Sequence, residues 1–280
     1  MRKKGKWLLL LLVLLCCGGF AAYQLIWNQA YDRVPPKITM DSDEITVSVS
    51  DSEEQLLQGV TATDARDGDV TSSLVVESVR GVVANQEFTV TYAAFDGAGN
   101  VAKAQRTVHY SDYVSPKFNL TGPLLFRSGT SLDIFSVLEA EDVFDGDLTD
   151  HIKATLTGGG QQISDPGDYT VEFRVTNSLG DTAYLEAPIR VVAPESSNAD
   201  VTLTDYLVYC AKGDQFQPKE YLQSMKAGSE TVALGRYDQD VYIDINSNVD
   251  TDTPGTYCVD YTITYGTYTG MSRLIVVVED

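Results

Sequence analysis

Asp165-Pro166-Gly167-Asp168-Tyr169-Thr170-Val171-Glu172-Phe173 decides the fold, because it returns as Thr253-Pro254-Gly255-Thr256-Tyr257-Cys258-Val259-Asp260-Tyr261 and, more loosely, as Ala84-Asn85-Gln86-Glu87-Phe88-Thr89-Val90-Thr91-Tyr92. Each copy is a turn running into a strand. Pro and Gly set the turn, and the aromatic-x-Val-x-aromatic alternation places every second side chain on one face of a half-buried strand. The anchors Phe88, Tyr169 and Tyr257 are 81 and 88 residues apart, too far for a solenoid repeat and right for a tandem array of small β domains. The 280 residues therefore read as three domains of about 80 residues, each near the lower size at which a β-sandwich buries a working core.

Working outward from the phrase, alternating runs mark further strands at Ile45–Val49, Gly59–Thr63, Leu74–Val79, Phe88–Phe95 and Val101–Tyr110. The last two flank Asp96-Gly97-Ala98-Gly99-Asn100, a hairpin loop rich in residues that tolerate positive φ. The plan repeats with Tyr169–Thr176, the loop Asn177-Ser178-Leu179-Gly180-Asp181, and Thr182–Val192, and the chain closes on Arg273–Val278. Beyond residue 30 no helical stripe stands out except a turn around Pro218-Lys219-Glu220-Tyr221-Leu222. The expected organisation is a basic tail at 1–6, an apolar anchor at 7–27, a stalk at 28–34, domains at 35–112, 113–193 and 200–280, and a polar linker at 194–199.

Four of the 20 basic residues, Arg2, Lys3, Lys4 and Lys6, precede the first apolar run, leaving 16 against 40 acidic groups and a formal charge of −24 on residues 7–280. Such a chain is repelled by nucleic acid, and that class of partner is set aside. Trp7 to Ile26 carries no charge and is closed by Trp27, which gives it the length, flanking charge and interfacial aromatics of a membrane span. The expectation is a single-pass cell-membrane protein, N-terminus cytoplasmic and C-terminus extracellular. A competing reading is a cleaved signal peptide, with Leu8–Leu15 as its apolar region and Gly18-Gly19-Phe20-Ala21-Ala22 as the place of cutting. Both export residues 35–280.

Two acidic loops stand in register 78 residues apart, Asp64-Ala65-Arg66-Asp67-Gly68-Asp69-Val70-Thr71 and Asp142-Val143-Phe144-Asp145-Gly146-Asp147-Leu148-Thr149. An Asp-x-x-Asp-Gly-Asp-x-Thr loop, a Pro-Gly-x-Tyr-x-Val-x-aromatic strand and an Asp-x-x-Gly-Asn hairpin together resemble the bacterial immunoglobulin-like domains of the hyalin-repeat type. The resemblance implies three tandem immunoglobulin-like β-sandwiches of a kind common on bacterial surface and secreted proteins. It covers residues 35–193 well and 200–280 in part, since the third domain keeps Pro254-Gly255-x-Tyr257 without an Asp-Gly-Asp loop. Two readings stand for Asp64, Asp67, Asp69, Asp142, Asp145 and Asp147. Their oxygens can hold Ca²⁺ on a flexible loop, or they cap their own backbone amides in turns. The second junction, lacking such a loop, is expected to bend more freely than the first.

Cys210 and Cys258 both fall in the third domain, where an oxidising compartment favours a disulfide stabilising by ~4 kcal/mol. Strand parity opposes it, because Tyr257, Val259, Tyr261 and Ile263 take the core face and turn Cys258 away. Nine of the 16 tyrosines lie in this domain, and Tyr265 and Tyr268, flanking a hairpin, mark a possible binding face. No nucleophile sits in a Gly-x-Ser-x-Gly elbow, and His109 and His151 are the only histidines, so no enzyme is expected. The sequence reads as a membrane-tethered spacer and adhesion module for a protein or glycan partner at the cell surface. The alternative is a secreted polysaccharide-binding module.

Overall fold

The computed structural model describes residues 2–30, 32–82, 87–130, 132–157, 163–234 and 240–280. The turn half of the loosest copy, Ala84-Asn85-Gln86, lies outside them. The chain falls into two compact units, Met1–Tyr113 and Val114–Asp280.

The first unit starts with helix α1 (Arg2–Ala30). Among the described residues, no helix is long and apolar enough to cross a membrane. The described side chains of α1, at Trp7 and positions 11–24, are all exposed, so Leu11, Leu12, Val13, Leu14, Leu15 and Phe20 cover no protein core. After it come β1 (Lys37–Met40), β2 (Glu44–Val47), a single turn α2 (Glu53–Leu56), β3 (Val60–Asp64), β4 (Gly68–Asp69), β5 (Val75–Val82), β6 (Glu87–Phe95) and β7 (Val101–Tyr110). These make two sheets, β1-β3-β4 and β2-β7-β6-β5. The entering chain changes sheets: β1 runs antiparallel to β3, and β2 then runs parallel to β7, with Ile45 opposite Val108. Inward residues of both sheets, Ala62, Phe88, Val90, Tyr92 and Val108, are buried between them as alternation requires. Tyr113, placed by sequence in the second domain, stacks edge-on against Phe88 at 4.8 Å and belongs to this unit.

The second unit holds β8 (Lys117–Leu120), β9 (Leu125–Arg127), β10 (Leu138–Asp142), β11 (Gly146–Asp147), β12 (Lys153–Thr157), β13 (Gly167–Thr176) and β14 (Thr182–Val192). The same switch recurs, with β8 antiparallel to β10 and β9 parallel to β14. The remaining strands are β15 (Ala199–Leu203), β16 (Leu207–Ala211), β17 (Leu222–Ala227), β18 (Glu230–Ala233), β19 (Val241–Ser247), β20 (Gly255–Tyr265) and β21 (Tyr268–Glu279). There β15 pairs antiparallel with β17 and β16 parallel with β21, as in the other two segments, but β15 also pairs with β21, so the seven strands belong to one sheet. The fold is all-β sandwich.

The repeated phrase has a direct structural cause. In β13 and β20 the tyrosine hydroxyl folds back over the glycine and donates to the carbonyl four residues earlier, Tyr169 to Asp165 and Tyr257 to Thr253, both at 2.8 Å. The second aromatic is buried, and where it is tyrosine its hydroxyl reaches a helical turn: Tyr92 donates to Leu56 O at 2.6 Å and Tyr261 to Pro218 O at 2.7 Å. Desolvation raises both hydroxyls above their ordinary pKa, so both remain donors.

Candidate functional site

The two acidic loops are built alike. Asp64 Oδ1 accepts the amides of Arg66 and Asp67 at 2.7 and 3.0 Å, and Asp142 Oδ1 accepts those of Phe144 and Asp145 at 2.9 and 3.0 Å. Asp69 and Asp147 each accept the amide of the threonine two residues on, at 2.9 Å. These hydrogen bonds, with Thr71 and Thr149 as the largest cause, hold both carboxyls below their ordinary pKa. Gly68 and Gly146 turn the loop at φ of 76° and 69°, where a Cβ would be strained. Asp67 Oδ2 and Asp145 Oδ2 reach across to the closing hairpin and accept the amides of Gly97 and Ser178, at 2.7 and 2.6 Å. The carboxylates thus cap backbone and tie the loop to the hairpin. Among the described residues, the one carboxylate group with metal-holding spacing is a different set, Asp32, Asp64 and Asp96, of which only Asp64 was singled out by sequence.

The second junction departs most from expectation. It is packed: Leu207 and Ile275 join the core cluster of the 113–193 segment, and Cys258 and Val277 lie against it. Four charged side chains close the contact. Arg190 grips Asp168 through Nε and Nη2 at 2.7 and 2.8 Å and donates from Nη1 to Asp260 at 2.7 Å. Arg273, 1% exposed, grips Asp260 at 2.7 and 3.0 Å and also donates to Asp168 at 3.3 Å and to Pro188 O at 3.1 Å. The hydrogen bond from Arg190, with the charges of Arg190 and Arg273 outweighing desolvation, holds the Asp168 carboxyl below its ordinary pKa. Tyr209 adds a clasp, accepting the amide of Phe118 and donating to its carbonyl at 3.2 Å, with its phenol pushed up to about 12 by burial. Free bending of this junction is opposed, because it would break the crossing bonds from Arg190 to Asp260 and from Arg273 to Asp168 and Pro188 O and would expose Leu207 and Ile275.

The missed signal lies in β21, where Leu274-Ile275-Val276-Val277-Val278 runs without alternation, the pattern of a strand covered on both faces. Leu274, Val276 and Val278 fill the third segment's own core, while Ile275 and Val277 face the second.

Cys210 and Cys258 form no disulfide; both are free. They lie on strands either side of β21, opposite Val278 and Ile275, so a whole strand separates them and a bridge cannot reach. Tyr265 and Tyr268 do not make an outward face either. Both are half-buried against the third segment's core, and Tyr265 meets Glu230 at 3.4 Å. Among the described residues beyond α1, the exposed tyrosines are instead Tyr184 and Tyr242.

An open groove of about 420 Å³ runs between the last two segments, with Phe126, Arg127 and Thr130 on one wall and Asp200, Thr202 and Tyr206 on the other. Arg127 and Asp200 face each other at 3.9 Å. Aromatic surface beside paired charges and hydroxyls suits a polar chain such as a peptide or glycan.

No protein-family model matches this chain. Pesticidal crystal protein Cry22Aa of Bacillus thuringiensis is 25% identical over 252 residues, covering 84% of this chain and 32% of that protein. An uncharacterized 81.3 kDa protein of Acholeplasma phage L2 is 35% identical over 88 residues, 31% of this chain and 11% of that protein. The chain spans less than a third of the length of either. Among solved structures, Drosophila N-cadherin EC1-3 aligns with 85% of this chain and 97% of its own at 10% identity and a TM-score of 0.31. The CBM51-2 and INT domains of Clostridium perfringens ZmpB, solved with GlcNAc, align with 87% of this chain and 42% of theirs at 15% identity and a TM-score of 0.22.

Proposed function

We propose that the chain is a membrane-tethered surface protein in which three tandem immunoglobulin-like sandwiches, of the hyalin-repeat type, serve as spacer and binding module for a protein or glycan. The observation that carries this reading is the groove at Arg127, Asp200 and Tyr206, beside a junction packed by Leu207 and Ile275 and bridged by Arg190 and Asp260. The uncharged run Trp7 to Ile26 behind four basic residues supports the tether, and the exposed apolar side chains of α1 are those a lipid phase would cover. The reading assigns no catalytic role: no nucleophile sits in an elbow motif, and Asp67, Asp69, Asp145 and Asp147 of the acidic loops serve backbone amides. It also excludes nucleic acid as a partner, on charge.

The test has two arms. Expressed in a bacterial host, the full chain should sediment with membranes and resist high salt; recovery from the medium would favour the secreted polysaccharide-binding form instead. Screened against cell-wall glycans and surface proteins, it should give a ligand whose affinity drops at least tenfold in Arg127→Glu, a variant that reverses the charge facing Asp200. Unchanged binding by Arg127→Glu would remove the groove from the proposal.

A further inference from the structure

One carboxylate oxygen from each of Asp32, Asp64 and Asp96 lies within 4.8 Å of the other two, and none of the three is ion-paired with a described Lys or Arg. A gathering of acids alone means little. Here a second observation points to a ligand. Asp64 is 7% exposed, and its Oδ2 is buried with no hydrogen-bond partner while Oδ1 serves the loop amides. A buried, unpartnered carboxylate oxygen is costly unless a donor or a cation meets it.

The second unit supplies an internal control. There the same atom, Oδ2 of Asp142, accepts from Nδ2 of Asn177 at 3.0 Å. Asn177 opens the hairpin loop that corresponds to Asp96-Gly97-Ala98-Gly99-Asn100, so Asp96 is its counterpart. The first unit therefore sets a carboxylate where the second sets an amide donor. Asp96 is itself 8% exposed and fixed by the loop: Ala98 and Asn100 amides hold Oδ1 at 2.9 and 2.8 Å, and the Asn100 side chain holds Oδ2 at 2.7 Å. It cannot swing away from Asp64.

We infer that Asp32, Asp64 and Asp96 form a Ca²⁺ site that fastens the segment preceding β1 to the end of the first sandwich. All donors are hard oxygens, which excludes a preference for soft metals. Mg²⁺ demands a near-ideal octahedron and gives up its waters reluctantly, whereas Ca²⁺ accepts an irregular set of carboxylates whose positions the loops already fix, as those of Asp64 and Asp96 are. Three carboxylates also match the millimolar to submillimolar affinities of extracellular calcium modules. The site does not depend on the groove or on the tether.

The experiment is calorimetric titration of the full-length protein, stripped with EDTA, with CaCl₂ and separately with MgCl₂. Ca²⁺ should fill one site per chain and raise the melting temperature, with a response at least tenfold weaker for Mg²⁺. Asp96→Asn installs the amide that the second unit already uses, so it should keep the loop intact, lose at least tenfold in Ca²⁺ affinity, and melt in EDTA no lower than the parent. Asp32→Asn, outside the sheets, should weaken binding to a similar degree. Asp145→Asn, in the other acidic loop, should leave Ca²⁺ binding unchanged. Absence of Ca²⁺ binding by the parent, equal response to Mg²⁺, full affinity in Asp96→Asn, or loss of binding in Asp145→Asn would each overturn the assignment.

Discussion

At the scale of single residues, the two tyrosines of the repeated phrase do different work, and their hydroxyls differ in what they leave behind. Tyr169 and Tyr257 donate to carbonyls at the exposed turn, where water replaces a lost donor. Tyr261 is fully buried and donates to Pro218 O, which loses its partner if the hydroxyl is removed. Tyr257→Phe should therefore cost about 0.5–1.5 kcal/mol and Tyr261→Phe about 1–3 kcal/mol. Urea denaturation of the two variants compares them directly, and an equal or reversed order would show that the turn, not the buried acceptor, governs. The phrase was legible in the sequence because its signal is local: turn chemistry and alternation need no partner strand. The swap of Asp96 for Asn177 was equally visible, but its meaning requires knowing that each faces an aspartate 32 to 35 residues upstream across the end of the sandwich.

At the scale of elements, β21 organises the last 80 or so residues, pairing with β20 along one edge and with β15 and then β16 along the other. Its close approach to β15 depends on Gly270. A Cβ there would lie 2.6 Å from Val201 Cγ2 and 3.3 Å from Ala199 O. Gly270→Ala should destabilise the unit by about 1–3 kcal/mol through overpacking. Adding Val201→Ala removes the clashing methyl and should recover part of the loss, a positive coupling in a double-mutant cycle. Strict additivity would place the strain in the Ala199 backbone. Sequence reading places β21 at Arg273–Val278, short of the observed Tyr268–Glu279, and does not say how many of its faces are buried. The run of five apolar residues carried the evidence for two, yet the polar partners of its second face, Asp168, Arg190, Asp260 and Arg273, look like ordinary outward strand residues until two segments are brought together. Long-range ion pairs leave no periodicity, and the expectation of a freely bending junction rested on the missing acidic loop alone.

For the whole molecule, the ion network makes the last two segments one compact unit while the first stands as another, and this fixes how the chain comes apart. Differential scanning calorimetry of the full chain should show two transitions rather than three. Arg273→Ala leaves Asp260 buried at 8% exposure without its main partner and should cost about 3–5 kcal/mol, enough to split the second transition in two. Three transitions in the unmodified protein would refute the packed junction. Acid acts on the same contact. The Asp168 carboxyl is held below its ordinary value of 3.8 by Arg190 and Arg273, so its share of stability is complete above about pH 3.8 and is lost as pH falls through the lower folded value. Melting temperature should therefore fall between pH 4 and pH 2, and the fall should be shallower in Asp168→Asn, which cannot titrate. An unchanged slope in that variant would mean that acid unfolds the unit through other carboxylates and that the junction is not its weak point.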